Sequence, residues 1–137
     1  MAFAGNNAPA LANGSKVLLV DDDSAVREVT AAMLRDLGYV VLEAGSGGGA
    51  FDLLDREGTI DLIVMDFAMP GMNGAEVARQ ARIARPTIPI LFITGFADRA
   101  AISGIDGAQI IGKPFSRDEL ADKVTRVLSN RSQRLSA

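Results

Sequence analysis

A chain of 137 residues has room for one domain and little more. Hydrophobic residues make up 48% of it, which excludes a disordered composition and allows a core to form without disulfides or metal. Lys and Arg number 14 against 17 Asp and Glu, a net charge of -3, so the basic surplus of a general nucleic-acid binder is missing.

The chain contains neither His nor Cys. That removes disulfides, thiol nucleophiles, thiolate zinc sites and every imidazole acid or base. A metal could be held only by oxygen, which points to Mg²⁺ or Ca²⁺. Lack of Cys fits a reducing compartment, and a cytoplasmic location is expected. No apolar run approaches the roughly 18 residues of a membrane span. Met1–Gly14 lacks the basic patch and apolar core of a signal peptide, and residues 1–15 are expected as a flexible arm.

From Lys16 the pattern alternates. Val17–Val20 is a continuous apolar run of strand length, stopped by Asp21-Asp22-Asp23. Apolarity on both faces predicts a parallel sheet covered on two sides. Ser24–Leu37 follows as a helix, capped by Asp23 or Ser24, ended by Gly38, with Val26, Thr30, Met33 and Leu37 as its apolar stripe. Tyr39–Glu43 is a short strand. A second helix begins at Ser46 and closes by Gly58, with Ala50, Phe51 and Leu54 on its buried side. Its glycines (Gly45, Gly47, Gly48 and Gly49) lack the lysine and spacing of a phosphate-binding loop. Ile60–Met65 is a third strand, ending at Asp66. After a loop and turn over Pro70–Asn73, Ala75–Arg85 is a helix that Pro86 terminates. Met65, Met69 and Met72 are expected to pack in core and loop. Ile88–Ile93 is a fourth strand, Ala97–Ser103 a short, weak fourth helix, and Gln109–Ile111 a minimal fifth strand. Ser116-x-x-Glu119 is a capping box that opens a last helix running to about Leu128, with Leu120, Val124 and Val127 or Leu128 buried. A single domain over 16–129 and a flexible tail over 130–137 complete the expected organisation. Short loops and right-handed crossovers turn this alternation into a three-layer α/β sandwich.

In open parallel sheets a site forms beyond the carboxyl ends of the strands. Asp21, Asp22 and Asp23 follow the first strand, Asp66 ends the third, Thr94 ends the fourth and Lys113 follows the fifth. Clustered acids repel and call for a cation, and with oxygen ligands alone Mg²⁺ is the natural choice. A lysine and a hydroxyl beside such a site suit a phosphoryl group. Asp66, fixed at the end of an apolar central strand, is the candidate nucleophile, and Asp21 and Asp22 the better placed metal ligands.

These segments resemble the receiver domain of bacterial two-component response regulators. Val17–Asp23 is similar to its first strand and acidic pair, and Asp61–Gly74 to its phosphoacceptor strand and following loop. Thr94-Gly95 is similar to its hydroxyl and small residue, and Lys113-Pro114-Phe115 to its lysine and neighbours, where a cis Lys-Pro bond is familiar. The resemblance covers about Lys16 to Leu128. It implies a flavodoxin-like fold with five parallel strands in the order 2-1-3-4-5. It implies phosphorylation of Asp66 by a histidine kinase or histidine phosphotransfer protein. Asp21, Asp22, Asp66 and the Ala68 carbonyl would then frame Mg²⁺, with Thr94 and Lys113 on the phosphoryl oxygens. The output would be changed protein contacts with a downstream target, by a monomer or weak dimer, without nucleic-acid binding or membrane insertion.

The chain departs from the family pattern in places. Ile110 stands where the family often has a switching aromatic, so Thr94 and a shift of Ile110 are the switch candidates. Only 18 residues separate Thr94 from Lys113, and Gly104 and Gly107 interrupt them, so the fourth helix is expected to be short or irregular. Ala68 and Phe96 occupy positions that tune hydrolysis in the family, and neither offers a polar side chain to a water, which implies slow to intermediate self-dephosphorylation. Arg27 and Arg35 read either as a solvated face or as part of a kinase-docking surface. Two other functions compete: a degenerate receiver that binds proteins without phosphate, and a small Mg²⁺-dependent phosphatase, for which Ala68 supplies no second acid.

Overall fold

The computed structural model describes residues 14–69, 73–95 and 109–136, with 130–136 described by backbone alone. Among the described residues five strands and four helices follow one another: β1 (Lys16–Val20), α1 (Ser24–Asp36), β2 (Val40–Ala44), α2 (Gly47–Arg56), β3 (Leu62–Asp66), α3 (Gly74–Ala84), β4 (Ile90–Thr94), β5 (Gln109–Gly112) and the C-terminal helix α4 (Arg117–Ser136). The strands form one parallel sheet in the order β2-β1-β3-β4-β5, as the resemblance implied.

The apolar runs of β1, β3 and β4 explain the layering. Successive side chains of a strand point to opposite faces. Val17, Leu19, Leu62, Val64, Leu91 and Ile93 therefore join one core with Leu34 of α1 and Leu120, Val124 and Leu128 of α4. Leu18, Val20, Ile63, Met65, Ile90 and Phe92 join the other with Ala50 and Leu54 of α2 and Val77 and Ala81 of α3. Each large side chain buried this way contributes on the order of 1.5–3 kcal/mol. A strand apolar on both faces is thus the direct cause of a sheet covered on both sides.

Local signals set most boundaries. Asp23, rather than Ser24, caps α1 and accepts from the Ala25 and Val26 amides at 3.0 and 3.1 Å. Gly38, at φ 101°, ends it in a left-handed turn that costs glycine least. Ser46 caps α2, and Asn73 caps α3. Ser116 and Glu119 form the expected reciprocal capping box, at 2.8 and 3.1 Å. At the far end of α2, the Arg85 guanidinium donates to the carbonyls of Leu54, Glu57 and Gly58, groups that no helical turn satisfies.

Three expectations need correction. The buried residues of α1 are Thr30, Ala31 and Leu34, with Met33 and Leu37 only partly covered and Val26 exposed. The helix carries two overlapping apolar stripes, and the sheet selects the one centred on Ala31 and Leu34. The C-terminal helix continues to Ser136, past the expected end near Leu128, because no glycine or proline interrupts 129–136. Strand and helix limits also move by a residue or two, as in Val40–Ala44 for the expected Tyr39–Glu43. The expected fourth helix over Ala97–Ser103 lies outside the described residues, as do Phe96 and 70–72. No described helix is long and apolar enough to cross a membrane.

Candidate functional site

The parallel register brings strand ends to one edge. Val20 of β1 lies beside Met65 of β3, Asp66 beside Ile93 of β4, and Thr94 beside Gly112 of β5. The residues that follow continue the pairing: the Asp21 amide donates to the Ala44 carbonyl at 3.0 Å, Phe67 to Ile93 at 3.0 Å and Lys113 to Thr94 at 2.8 Å. Residues distant in sequence therefore arrive together without any loop having to carry them.

Asp21, Asp22 and Asp66 offer carboxylate oxygens that all lie within 4.8 Å of one another. Asp21 is fully buried, Asp66 is nearly so, and Asp22 is exposed. One Asp66 oxygen accepts from the Ala68 amide at 3.1 Å, and the other meets the Lys113 ammonium at 3.2 Å. The Lys113 side chain keeps 40% of its surface in solvent, and its peptide bond to Pro114 is cis. Phe67 anchors Asp66 from the other side: its ring packs edge-on against buried Phe92, with centroids 5.4 Å apart. Gly74 makes room for that ring, since a Cβ there would meet Phe67 Cδ1 at 3.0 Å.

Two buried oxygens stand out. Asp21 Oδ1 accepts from the Asp23 amide at 2.9 Å, but Asp21 Oδ2 has no hydrogen-bond partner among the described residues, and neither has Thr94 Oγ1. An unsatisfied buried polar atom costs about 1–3 kcal/mol, so such atoms call for a ligand to explain them. The donor set fits a hard divalent cation: carboxylates in close mutual repulsion, one with a bare buried oxygen, and neither nitrogen nor sulfur ligands available. Thr94 Oγ1, at the end of the neighbouring strand, is a hydroxyl free to donate to an anion beside that cation. Asp21, Asp22, Asp66, Ala68, Thr94 and Lys113, expected from the sequence, are therefore gathered at this edge. Ile110 lies one layer below, partly buried against Phe92, its partner in register.

Sequence inspection missed one contributor. Arg27 is half-buried rather than a solvated residue: its Nη1 donates to the Asp21 carbonyl at 2.7 Å and its Nε pairs with Glu43 at 3.2 Å. Its only sequence signal is an arginine about one turn beyond the acidic run. On the outer side of α1, Ala25, Val26, Val29, Met33, Pro114 and Phe115 line an apolar groove of about 450 Å³ that reaches Lys113.

Burial pushes the Asp21 carboxyl above its usual range, and the negative charges of Asp66 and Asp22 add to that, against the opposing Asp23 amide and Lys113. A carboxyl whose pKa rises on folding favours the fold while protonated, and that contribution is lost as pH climbs through the folded value. In EDTA at about pH 7, Asp21→Asn, which keeps the acceptor for the Asp23 amide, should therefore be more stable than the native protein by on the order of 1 kcal/mol. The gap should narrow as pH falls from about 7 to about 4, as Asp21 takes up a proton and loses its charge. Paired urea titrations at the two pH values measure this, and an Asn variant that is less stable at neutral pH contradicts it.

Residues 17–125 match the family model of the response regulator receiver domain. The response regulator receiver protein CpdR of Brucella abortus (strain 2308) is 34% identical over 116 residues, covering 82% of this chain and 96% of CpdR. Sensor kinase CckA of the same organism is 35% identical over 122 residues, but the chain spans only 13% of CckA. The crystal structure of a CheY-like response regulator receiver domain protein from Methanospirillum hungatei JF-1 has a TM-score of 0.80 at 28% identity, covering 89% of this chain and 99% of that one. With the acidic cluster, the strand-end lysine and the 2-1-3-4-5 sheet all in place, the chain belongs to the response regulator receiver domain family of two-component systems.

Proposed function

We propose that this domain accepts a phosphoryl group on Asp66 from a histidine kinase or histidine phosphotransfer protein, and that the acyl phosphate alters its contacts with a protein target. The observation that carries this reading is the state of the Asp66 carboxylate. It is nearly buried at the end of β3, oriented by the Ala68 amide and by Lys113 at 3.2 Å, and close to two further acids. Asp21, Asp22 and Asp66 would hold Mg²⁺ with the Ala68 carbonyl. Bound there, the ion neutralises charge on the transferred group and on the acids around it.

The chain's own residues do the rest. An Asp66 oxygen forms the bond to phosphorus as the donor's N–P bond breaks, and the electron pair of that bond returns to the donor imidazole. The Lys113 ammonium, mobile enough at its exposed end, follows the charge from the carboxylate to the phosphoryl oxygens. The Thr94 hydroxyl donates to another of these oxygens, which satisfies an atom otherwise buried alone. A small inward shift of Thr94 is transmitted through β4 to β5, where Ile110 rather than an aromatic ring responds. Ala68 places no polar side chain beside the acyl phosphate, which supports slow to intermediate self-hydrolysis.

The groove along α1 favours a protein donor. It opens next to Lys113, on the approach to Asp66, and it is apolar where Val26 and Val29 lie 40% and 57% exposed. A helix of the donor covering these valines would bury them while presenting its imidazole to the acid.

Two experiments test the proposal. Intact-protein mass spectrometry after incubation with Mg²⁺ and acetyl phosphate or phosphoramidate should show one added phosphoryl group. It should be absent in Asp66→Asn and in EDTA, and released by hydroxylamine as an acyl phosphate is. Addition to Asp66→Asn contradicts the reading; none to a native protein that binds Mg²⁺ points to a receiver that accepts only from its protein partner, and failure of both addition and Mg²⁺ binding favours the phosphate-independent binding module. For the groove, Val29→Gln should slow transfer from the cognate protein donor by about tenfold, the scale of a central interface contact. The rate with acetyl phosphate should stay unchanged. Equal slowing of both rates would place Val29 in the fold rather than in the interface.

A further inference from the structure

Asp21 sits one residue beyond the β1 ladder, so its backbone is held only in part by the sheet. Its amide is paired with the Ala44 carbonyl of β2. Its carbonyl receives the Arg27 guanidinium from α1 at 2.7 Å, a short, charge-assisted bond. The guanidinium is itself fixed. Arg27 Nε lies 3.2 Å from Glu43 Oε1, and the other oxygen of Glu43 lies 3.1 Å from Arg35 Nη2. Arg35 in turn donates to the Val41 carbonyl at 3.1 Å. The Arg27 side chain is only 20% exposed, against 51% for Arg35. Gly45 leaves the space it occupies: a Cβ there would lie 3.1 Å from Arg27 Nη1. The end of β1, the end of β2 and the first turns of α1 thus meet on one side chain, directly behind the most buried acid of the site.

We infer that Arg27, held by Glu43, is a positioning residue that sets the affinity of the divalent-cation site through the Asp21 backbone. The inference rests on the proposed cation role of Asp21, Asp22 and Asp66. Two physical effects of Arg27 have opposite signs. Its positive charge opposes a nearby cation, so its loss would tighten binding. Its hydrogen bond holds the Asp21–Asp23 turn, so its loss would loosen binding. Glu43 neutralises the charge at contact distance, and solvent screens what is left. The bond to the Asp21 carbonyl has no such offset, so the positioning effect wins. Loss of an outer-shell partner of a metal ligand typically weakens binding by about 10–100-fold.

The test is Mg²⁺ affinity by isothermal titration calorimetry, with urea unfolding in EDTA as a check on the fold. Arg27→Gln should raise the Mg²⁺ dissociation constant by about tenfold or more. Arg27→Lys, which keeps the charge but can serve only one of the two partners, should fall between Gln and the native protein. Glu43→Gln should weaken binding as well. With acetyl phosphate, the Arg27 variants should need more Mg²⁺ for half-maximal phosphorylation but approach the native rate at saturation, a split that general destabilisation does not produce. Native or tighter Mg²⁺ binding by Arg27→Gln overturns the inference, and Arg27→Lys decides alone if the Gln variant does not fold. A native protein that binds no Mg²⁺ overturns the cation reading together with this one, whereas native binding unaffected by Arg27 overturns this one only.

Discussion

Three carboxylates within 4.8 Å of one another are the constraint to which the rest of the molecule answers. Left alone they repel, and one of them, Asp21, is fully buried with a bare oxygen. Such an arrangement survives because the surrounding structure over-determines it. Two apolar cores, one on each side of the sheet, fix β1 and β3 in register and hold Asp21 and Asp66 at adjacent strand ends. The Asp23 and Ala68 amides and the Lys113 ammonium then offset part of the negative charge. What they leave uncompensated is negative charge, which fits a hard cation and, beside it, a group that carries oxygens to Thr94 and Lys113.

In the proposed function the same constraint would couple binding to switching. Thr94 is buried with its hydroxyl unpaired among the described residues, and its carbonyl accepts from the Lys113 amide. A ligand that draws the Thr94 hydroxyl must therefore act on the junction of β4 and β5 as well. Ile110 packs at that junction against Phe92, whose ring supports Phe67 next to the acceptor. Phe67, Phe92 and Ile110 belong to one packed cluster, so a small displacement at Asp66 would have a mechanical route to β5 without a large aromatic swing.

The site was legible from sequence because its residues lie at strand ends, and strand ends are marked by the abrupt change from apolar runs to Asp21, Asp66, Thr94 and Lys113. The capping box at Ser116 and Glu119 was equally plain, since both of its bonds are local. What sequence did not disclose depends on tertiary choice. Helix α1 carries two possible apolar stripes, and the sheet, not the helix, decides that Ala31 and Leu34 go inside and that Val26 and Val29 line an outer groove. Arg27 is legible only once β2 is seen to bring Glu43 beside it and Gly45 to leave it room. The end of α4 was misjudged because polar residues without glycine or proline suit a helix as well as a tail.

The most direct test of the account is a Mg²⁺ titration followed by backbone-amide NMR on the native protein. Saturable shifts should concentrate on Asp21, Asp22, Asp66 and Ala68 and extend to Thr94 and Lys113, and they should vanish in Asp21→Asn. Shifts spread over exposed acids such as Glu76 and Asp122 with the strand ends unmoved, or no saturable shift at all, would contradict the claim that this edge of the sheet is built around a cation.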